Sequence, residues 1–345
     1  MNARLSMRAA IVGGGVLLAM SVALGAASGA YAISVSQLWQ VLAAVWNDAA
    51  DPSPQQLVFM NIRLPRLLLG VAAGAGLGMS GALMQGLFRN PLADPGLIGI
   101  SSGAALAAGV TIVLGAWLWP VLPRTLGSWT LVTMAFGGGF LVTLLIYSLS
   151  RSEGGTRMAL MLLAGIAINA LAGAGLGLLS VMGTDEQLRS LQFWLLGSLG
   201  GARWSAVILV SMVVLVACAF ALTLSAPLNA IALGESQAAL LGVDVERVKR
   251  RAIVVTAFAV GSVTATTGII GFIGLIAPHW VRMVAGPDHR VVLPASSLLG
   301  AALVLAADTV ARTLMAPAEL PLGVLTAFIG VPIFLLMLRH FRDRV

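Results

Sequence analysis

The sequence predicts an all-α polytopic membrane protein, and three of its properties indicate this class. Hydrophobic residues make up 59% of the 345 residues, charged residues only 10%, and the mean hydropathy is +0.99. Soluble globular domains carry about 25% charged residues. The apolar stretches are continuous rather than alternating, which favours membrane helices over the strands of a barrel. At about 20 residues per spanning helix, the chain has room for roughly eight to ten spans.

Composition also limits the covalent links, the helix packing and the binding partners that the chain can have. It has one cysteine, Cys218, so no disulfide within the chain is possible. Its 40 glycines suit the close approach of helices in lipid. The net charge of +7 comes from basic residues that are spread along the chain. This distribution favours cytoplasmic flanks of membrane helices and argues against nucleic-acid binding.

The first apolar run, residues 9–27, has two interpretations. Arg4 and Arg8 precede it and small residues follow it, as in a secretory signal peptide. The run is longer than the apolar core of such a peptide, about 7–15 residues, so we expect a retained first membrane helix. Residues 34–61 are mixed in character, with tryptophans and prolines, and are predicted to lie outside the membrane near its interface.

Ten segments in all are predicted to cross the membrane. An amphipathic piece at 186–199 and a charged stretch at 227–251 lie between them. The shortest segment follows a glycine-rich break at 268–274 and contains Pro278 and Arg282. The predicted spans are 9–27, 64–87, 95–115, 128–149, 158–182, 204–224, 252–269, the short one that ends near Ala285, 291–314 and 322–338.

The distribution of basic residues predicts the orientation of these spans. If both termini lie in the cytoplasm, 14 basic residues fall on the cytoplasmic side and 6 on the outer side. Cytoplasmic loops carry an excess of lysine and arginine, so this arrangement is favoured. The even number of spans agrees with it, and the charged stretch 227–251 then lies in the cytoplasm.

The stretch 227–251 is the most unusual part of the chain. Seven charged residues lie between Glu235 and Arg251, and long apolar runs flank the stretch on both sides. Gly234 and Gly242 occupy positions suited to turns. We therefore expect a structured element in water rather than a plain linker, and we interpret it as a docking surface for a separate motor protein.

Glycines recur at a spacing of four residues in two of the predicted spans. This spacing lets helix backbones approach closely in lipid, so we predict helix-packing faces at these positions. The run from Gly76 to Gly81 also fits the glycine pattern of dinucleotide-binding proteins. No strand precedes it and no acidic residue follows at the required distance, so we reject that function. The predicted packing residues are Gly70, Gly74, Gly78, Gly173 and Gly177.

Catalytic motifs are absent from the sequence. No phosphate-binding loop that ends in Gly-Lys-Ser or Gly-Lys-Thr occurs, and no metalloprotease or serine hydrolase pattern is found. His279 beside Pro278 is either a ligand of a metal or haem iron or, as we favour, a packed and hydrogen-bonded histidine. We predict that this chain is not itself an enzyme and that it holds no metal.

Asp308 is an ionisable residue deep within a predicted span. Such a residue suggests a proton relay, and hence an ion-coupled secondary transporter. Arg312 lies one turn further on the same face, so we favour an ion pair. A secondary transporter is expected to carry more charge at the middle of the membrane than this chain does.

Arginines are predicted to gather at the outer mouth of the helices. Arg63 and Arg66 precede the second span around Pro65, and Arg312 is expected at the same level. Interfacial snorkelling of the long side chains is one explanation. The other is a cluster of outward-facing guanidinium groups that captures carboxylates of a protein partner or an acidic solute.

Several long blocks, in one order, cover nearly the whole chain from about residue 55. The blocks are Arg63-Leu-Pro-Arg66, Gly81-Ala-Leu-Met-Gln85, Asn90-Pro-Leu-Ala-Asp-Pro-Gly-Leu-Ile-Gly99, Leu233-Gly-Glu-Ser-Gln237, Leu241-Gly-Val-Asp-Val-Glu-Arg247, Gly271-Phe-Ile-Gly-Leu-Ile-Ala-Pro-His279, Gly286-Pro-Asp-His-Arg290, Ala307-Asp-Thr-Val-Ala-Arg312 and Glu319-Leu-Pro-Leu-Gly323. Together they resemble the FecCD family, the permease subunits of type II ABC importers for iron-siderophores, haem and cobalamin.

The resemblance implies one permease domain, residues 1–345, with ten helices in the bacterial inner membrane. It implies a homodimer with the translocation pathway at its axis, two ATPase subunits that hold ATP and Mg²⁺, and a periplasmic binding protein. This chain is then expected to bind no cofactor of its own and to have membrane lipid around it.

The resemblance also implies roles for particular residues. Arg63, Arg66 and Arg312 match the arginines at which the binding protein docks. The stretch 227–251 matches a pair of short cytoplasmic helices, between the sixth and seventh spans, that sit in a cleft of each ATPase. The coupling residues carried over are Leu233, Gly234, Glu235, Ser236, Gln237, Ala238, Leu240, Leu241, Gly242 and Val243.

The wording of two segments is most similar to the haem-importing branch of the family. One begins at Asp185 and continues through Phe193 and Trp194 to Trp204, and the other runs from Phe88 to Gly99. Haem is therefore the expected cargo. A ferric siderophore or cobalamin remains the alternative within the family.

Overall fold

The computed structural model describes residues 5–29, 53–153, 155–316 and 318–342, with side chains at 123, 124 and 340–342 left out. These residues form an all-α bundle with one small hairpin. The helices of the first half are α1 (Met7–Ala27), α2 (Pro54–Phe88), α3 (Ile100–Leu118), α4 (Leu122–Leu126), α5 (Trp129–Leu149), α6 (Met158–Met182) and α7 (Asp185–Leu196).

The second half begins at Trp204 and adds seven helices to the described chain. They are α8 (Trp204–Thr223), α9 (Ser225–Ala232), α10 (Glu235–Leu240), α11 (Val245–Thr267), α12 (Ile273–Ala285), α13 (His289–Thr313) and α14 (Leu322–Arg342). The hairpin pairs β1 (Arg151–Ser152) with β2 (Gly155–Thr156) in antiparallel register between α5 and α6.

Eight of the described helices are long and apolar enough to cross a membrane: α1, α2, α3, α5, α6, α8, α13 and α14. The other two predicted spans correspond to α11 and α12. The 23 residues of α11 begin with the charged residues of the stretch 227–251. The 13 residues of α12 rise only about 20 Å, which is short of the hydrocarbon core of about 30 Å.

Two helices begin at positions other than the predicted starts of their spans. The second span was expected to begin at residue 64, but α2 begins at Pro54, where the Ser53 hydroxyl caps the first turn, and it passes through a π-helical turn at Phe59–Arg63. The expected extramembrane segment 34–61 lies partly outside the described residues, and its part after Ser53 is helical. The third span was expected from residue 95, but Pro95–Ile98 is a 3₁₀ turn and α3 follows it.

Local sequence explains several helix ends. Thr184 and Gln187 form a reciprocal capping box at the start of α7, the amphipathic piece predicted from the sequence. Asp244 caps α11 by accepting from the backbone N–H of Arg247, and Asp288 caps α13 by accepting from the backbone N–H of Arg290. The first turns of α11 and α13 lie at the same end of the bundle as α9 and α10. We call this end of the bundle the charged end.

The centre of the bundle is α2, most of whose side chains are buried. It packs against α8, α11, α12 and α13. The closest approach is to α13, where a Cβ on Gly74 would meet the carbonyl oxygen of Gly300 and a Cβ on Gly78 would meet that of Ser296. Only a residue without a side chain allows this backbone contact.

Candidate functional site

The end of the bundle opposite the charged end carries a group of five charged side chains, which we call the arginine cluster: Arg63, Arg66, Asp308, Arg312 and Glu319. Arg66 lies at its centre. Its Nε is 3.0 and 3.1 Å from the two carboxylate oxygens of Asp308, and its Nη2 is 2.9 Å from Oδ1 of Asp308. Its Nη1 and Nη2 also donate to the two oxygens of Glu319 at 2.9 and 3.0 Å.

The other two arginines hold the end of α1. Arg63 donates to the carbonyl oxygen of Ala26 at 2.6 Å. Arg312 donates to the carbonyl oxygens of Gly25 at 2.7 Å and Ser28 at 2.9 Å. The last turn of a helix leaves carbonyl oxygens without partners, and arginine side chains satisfy them well.

The three guanidinium groups are not the outward-facing forks that the sequence predicted. Arg63, Arg66 and Arg312 are 5%, 8% and 7% exposed, and each is engaged within the chain. Glu319 is the open member of the cluster, with 46% of its side chain exposed. Three arginines against two carboxylates leave the cluster with an excess of positive charge.

Asp308 forms the ion pair that the sequence analysis favoured over a proton relay. Its Oδ2 lies 3.2 Å from Nε of Arg312, one helical turn away. The contacts of Arg66 with Asp308 and with Glu319 could not be foreseen, because they join residues that are 242 and 253 positions apart in the chain.

Glu319 lies in the loop before α14, outside the membrane-spanning helices. Hydrogen bonds from Arg66 lower the pKa of its carboxyl group, although partial burial works in the opposite direction, and the charges of Arg66 and Arg312 add to the lowering. The carboxylate therefore remains ionised at neutral pH.

At the charged end, α9 and α10 form a pair of short helices, as the resemblance implied. Gly234 and Gly242 bound α10 with φ values of +123° and +82°, a region in which residues with a side chain are strained. Leu233, Leu240 and Leu241 are 69%, 81% and 66% exposed. Three exposed leucines on a short, firmly turned element are typical of a surface that a partner protein covers.

The remaining predicted coupling residues are divided between this surface and the core. Ser236 and Gln237 are exposed, Val243 is half-buried, and Ala238 is fully buried against the bundle. The buried Ala238 seats α10 and leaves its other face open.

A buried lysine fixes the start of α10 to the bundle. Lys249, 2% exposed, donates to Glu235 Oε2 at 2.8 Å, to Glu246 Oε1 at 3.2 Å and to the carbonyl oxygen of Thr156 at 2.7 Å. Partial burial raises the pKa of Glu246, but hydrogen bonds from Thr156 and Lys249 outweigh it and lower the pKa overall. One ammonium group therefore ties α10, α11 and the hairpin together.

A second polar junction was missed in the sequence. The side-chain oxygen of Asn229 on α9 accepts from the backbone N–H of His289 at 2.9 Å and lies 2.8 Å from its Nδ1. Because this oxygen can only accept, Nδ1 carries the proton and Nε2 accepts from Arg282, 3.4 Å away. The Asn229 amide also donates to Asp288 at 2.7 Å. No local motif marks this asparagine.

The predicted glycine faces differ from each other. A Cβ at Gly70, like those at Gly74 and Gly78, would meet another helix, here through Leu305 Cδ2 at 2.7 Å. A Cβ at Gly173 or Gly177 would meet no described atom within 4 Å. The first face packs α2 against α13, whereas the second lies on an open face of α6.

The described residues contain no group of three or more metal-binding side chains, and His279 is buried. The run from Gly76 to Gly81 lies in the middle of α2, and a Cβ on Gly81 would meet the carbonyl oxygen of Gly274. Those glycines therefore serve helix packing and form no phosphate loop.

An apolar bundle with eight helices long enough to cross a membrane, an exposed pair of short helices at one end and an arginine cluster at the other fits a multi-pass membrane permease. The sequence matches the FecCD transport family over residues 17–340, and the chain belongs to this family.

Individual relatives support the same placement. The chain is 44% identical to the Hemin transport system permease protein HmuU of Yersinia pestis, with 100% of this chain and 99% of that protein covered. It is 42% identical to the Cobalamin import system permease protein BtuC of Halobacterium salinarum, over 84% of this chain and 75% of that one. A solved chain from an inward-facing ABC transporter of the metal-chelate type superimposes with a TM-score of 0.83 at 33% identity, over 96% of this chain and 98% of that chain.

Proposed function

We propose that this chain is the permease subunit of an ATP-driven importer that moves haem across the bacterial inner membrane. The observation that supports the cargo is the 44% identity to a hemin permease over the full length of both chains. The cobalamin permease relatives align over less of this chain, with 84% covered in the archaeal one. Cobalamin and ferric siderophores are therefore the second candidates.

The energy comes from separate subunits in this proposal. The chain lacks a phosphate-binding loop, so ATP and Mg²⁺ belong to two partner ATPases. Their docking surface is the pair α9 and α10, with the exposed leucines 233, 240 and 241. Lys249 of α11 holds Glu235 at the start of α10, so the helix pair can move as a rigid unit when the ATPases close.

The arginine cluster is proposed to receive the periplasmic binding protein. The excess positive charge of the cluster attracts acidic residues of such a partner. Arg66 is reached from outside through the exposed carboxylate of Glu319, whose place a partner carboxylate can take. Docking then exchanges one ion pair for another and needs no guanidinium that projects freely.

A second copy of the chain is proposed to complete the pathway. The helices α6 and α14 leave most of their apolar residues open, and α6 carries the unpacked glycines 173 and 177. A symmetric dimer covers such faces and places the pathway at its axis. Both termini are proposed to lie in the cytoplasm, on the side of α9 and α10.

The test is uptake by proteoliposomes that contain this chain, its ATPase and its binding protein. Haem uptake that needs all three components, with cobalamin and a ferric siderophore rejected, supports the proposal. Uptake of cobalamin or of the siderophore in place of haem overturns the cargo alone. Uptake by this chain without the ATPase, driven by an ion gradient, overturns the importer and supports a secondary transporter.

The role of α10 in binding the ATPase is tested in the same preparation. A Gly/Ser linker in place of residues 235–241 is expected to abolish co-purification with the ATPase. The variant Arg189→Gln, at an exposed residue of α7 at the other end of the bundle, serves as control. An intact complex in the linker variant overturns the role of α10.

A further inference from the structure

We propose that the groove between α8 and α11 binds an anionic phospholipid, with an acyl chain along the groove and the phosphate at Arg250 and Arg251. The groove has a volume of about 940 Å³, near the upper end of the range of roughly 300–1,000 Å³ that holds small molecules. This site is independent of the cargo and of the partner subunits proposed above.

Beyond the two arginines, the walls of the groove are almost entirely apolar. Met212, Val216 and Phe220 of α8 face Val254 and Phe258 of α11 across it. All five are exposed in the chain by itself. In a bilayer these side chains contact lipid. The recess between the two helices holds one acyl chain in a fixed position, whereas a flat helix face does not.

The charged end of the groove carries two arginines. Arg250 and Arg251 both line the groove and are exposed, and neither forms an ion pair with a described residue. Their neighbours differ, because Lys249 is buried between two carboxylates and Arg247 pairs with Asp244 at 3.2 Å. Arg250 also lines a neighbouring cavity with Glu153, Asp244 and Glu246, but neither arginine forms an ion pair within the described residues, so both remain available to an outside anion.

The dimensions of the groove fit one leaflet. From Arg251 to Phe258 the helix α11 rises about 10 Å, and from Leu209 to Thr223 the helix α8 rises about 21 Å. One leaflet contributes half of a hydrocarbon core of about 30 Å, so its thickness of about 15 Å lies between these two lengths. A lipid whose headgroup meets the arginines thus has its acyl chain within the groove. Basic pockets between membrane helices on the cytoplasmic side suit anionic headgroups.

A second copy of the chain is a poorer occupant of this groove. In a two-fold symmetric contact the same patch meets itself, so arginines of one copy would face arginines of the other. A zwitterionic lipid such as phosphatidylcholine fills the apolar part equally well and also brings a phosphate, but its quaternary ammonium group cancels that charge and is repelled by the two arginines. Charge complementarity therefore selects the anionic lipid.

The test is native mass spectrometry of the full-length protein with phosphatidylglycerol and phosphatidylcholine of identical acyl chains. Two basic residues near a membrane surface strengthen binding of an anionic lipid by about thirtyfold. We expect the wild type to retain phosphatidylglycerol by about that factor over phosphatidylcholine. The double variant Arg250→Gln/Arg251→Gln should lose this preference, and Arg250→Lys/Arg251→Lys should keep it.

The matched control removes two exposed arginines that do not line the groove. Arg247→Gln/Arg290→Gln is expected to retain phosphatidylglycerol as the wild type does. In addition, wild-type protein is irradiated with phosphatidylglycerol that carries a photoreactive group at the acyl end. Crosslinks in peptides of α8 and α11 are expected, and this measurement does not depend on how a variant folds.

Three results would overturn the proposal. The first is equal retention of the two lipids by the wild type. The second is crosslinking confined to other helices. The third is a change of oligomeric state in Arg250→Gln/Arg251→Gln with phosphatidylglycerol retained as in the wild type, which would assign the groove to a second copy of the chain.

Discussion

Arg66 and Asp308 lie 242 positions apart in the chain, and Arg66 reaches both carboxylate oxygens of Asp308 at 3.0 and 3.1 Å from a single nitrogen. The contact joins α2 to α13 at the end where the arginine cluster lies. At the charged end, α13 begins at His289, which is bonded to Asn229 of α9. One helix of 25 residues therefore connects the short helix pair with the arginine cluster.

The first prediction concerns Asp308, which holds two buried arginines at once. The variant Asp308→Asn keeps the shape of the side chain but removes the negative charge that balances the guanidinium groups of Arg66 and Arg312. Removal of one partner of a buried ion pair costs about 3–5 kcal/mol. We expect a clear fall of the thermal midpoint of the purified protein, measured by intrinsic fluorescence or calorimetry in detergent.

Glu319→Gln provides the comparison for that variant. Its side chain is 46% exposed, and ion pairs with exposed partners contribute about 1 kcal/mol or less. We expect a much smaller shift of the midpoint. Equal shifts in the two variants would show that Asp308 is not the central carboxylate of the cluster.

The second prediction is a pH dependence of stability that originates at Glu319. The pKa of its carboxyl group lies below the ordinary value of 4.5 in the folded protein. A group with a lowered pKa stabilises the fold fully above its ordinary pKa, and this contribution is lost as the pH falls through the lower folded value. Thermal midpoints between pH 6 and 3 should therefore fall more in the wild type than in Glu319→Gln. Parallel curves would contradict the assignment.

The third prediction concerns Asn229, through which α9 holds the start of α13. Asn229→Ala removes the acceptor of two His289 donors and the donor to Asp288. We expect ATPase subunits to bind and hydrolyse ATP as before, while the amount of cargo imported per ATP falls several-fold. The measurement is the ratio of uptake to phosphate release in proteoliposomes.

Asn229→Asp distinguishes a loss of coupling between ATP hydrolysis and import from a general loss of structure. It retains the acceptor oxygen for His289 but places a carboxylate beside Asp288, so we expect an intermediate ratio. A ratio equal to that of the wild type in Asn229→Ala would mean that movement of α9 reaches α13 by another contact.

The fourth prediction uses two glycines of opposite surroundings. Gly74→Ala drives a methyl group into the backbone of α13, and overpacking of this kind costs about 1–3 kcal/mol. Gly173→Ala places the methyl group where no described atom lies within 4 Å. We expect reduced expression and a lower midpoint for the first variant, and an unchanged fold for the second. A stable Gly74→Ala protein would contradict the close contact of α2 and α13.

Local patterns in the sequence were sufficient for most of the helices and for a structured, charged element at 227–251, whereas its division into two short helices came from the family resemblance. Apolar runs of about 20 residues have few stable alternatives to membrane helices, because every backbone polar group needs a partner within the lipid. Gly234 and Gly242 mark the turns around α10 because a positive φ favours glycine. Helix starts were less predictable, as at Pro54, where the polar residues 55–56 resemble a loop in composition.

Pairings across the chain could not be predicted in this way. The sequence by itself determined the class of the protein, the charged element at 227–251 that is exposed between apolar helices, and the presence of three arginines near the ends of two of those helices. Tertiary structure alone decided that those arginines are buried, that Asp308 serves two of them, and that Asn229 meets His289. The reason is physical: helix formation depends on neighbours in the chain, whereas an ion pair depends on which helix faces come together in the folded bundle.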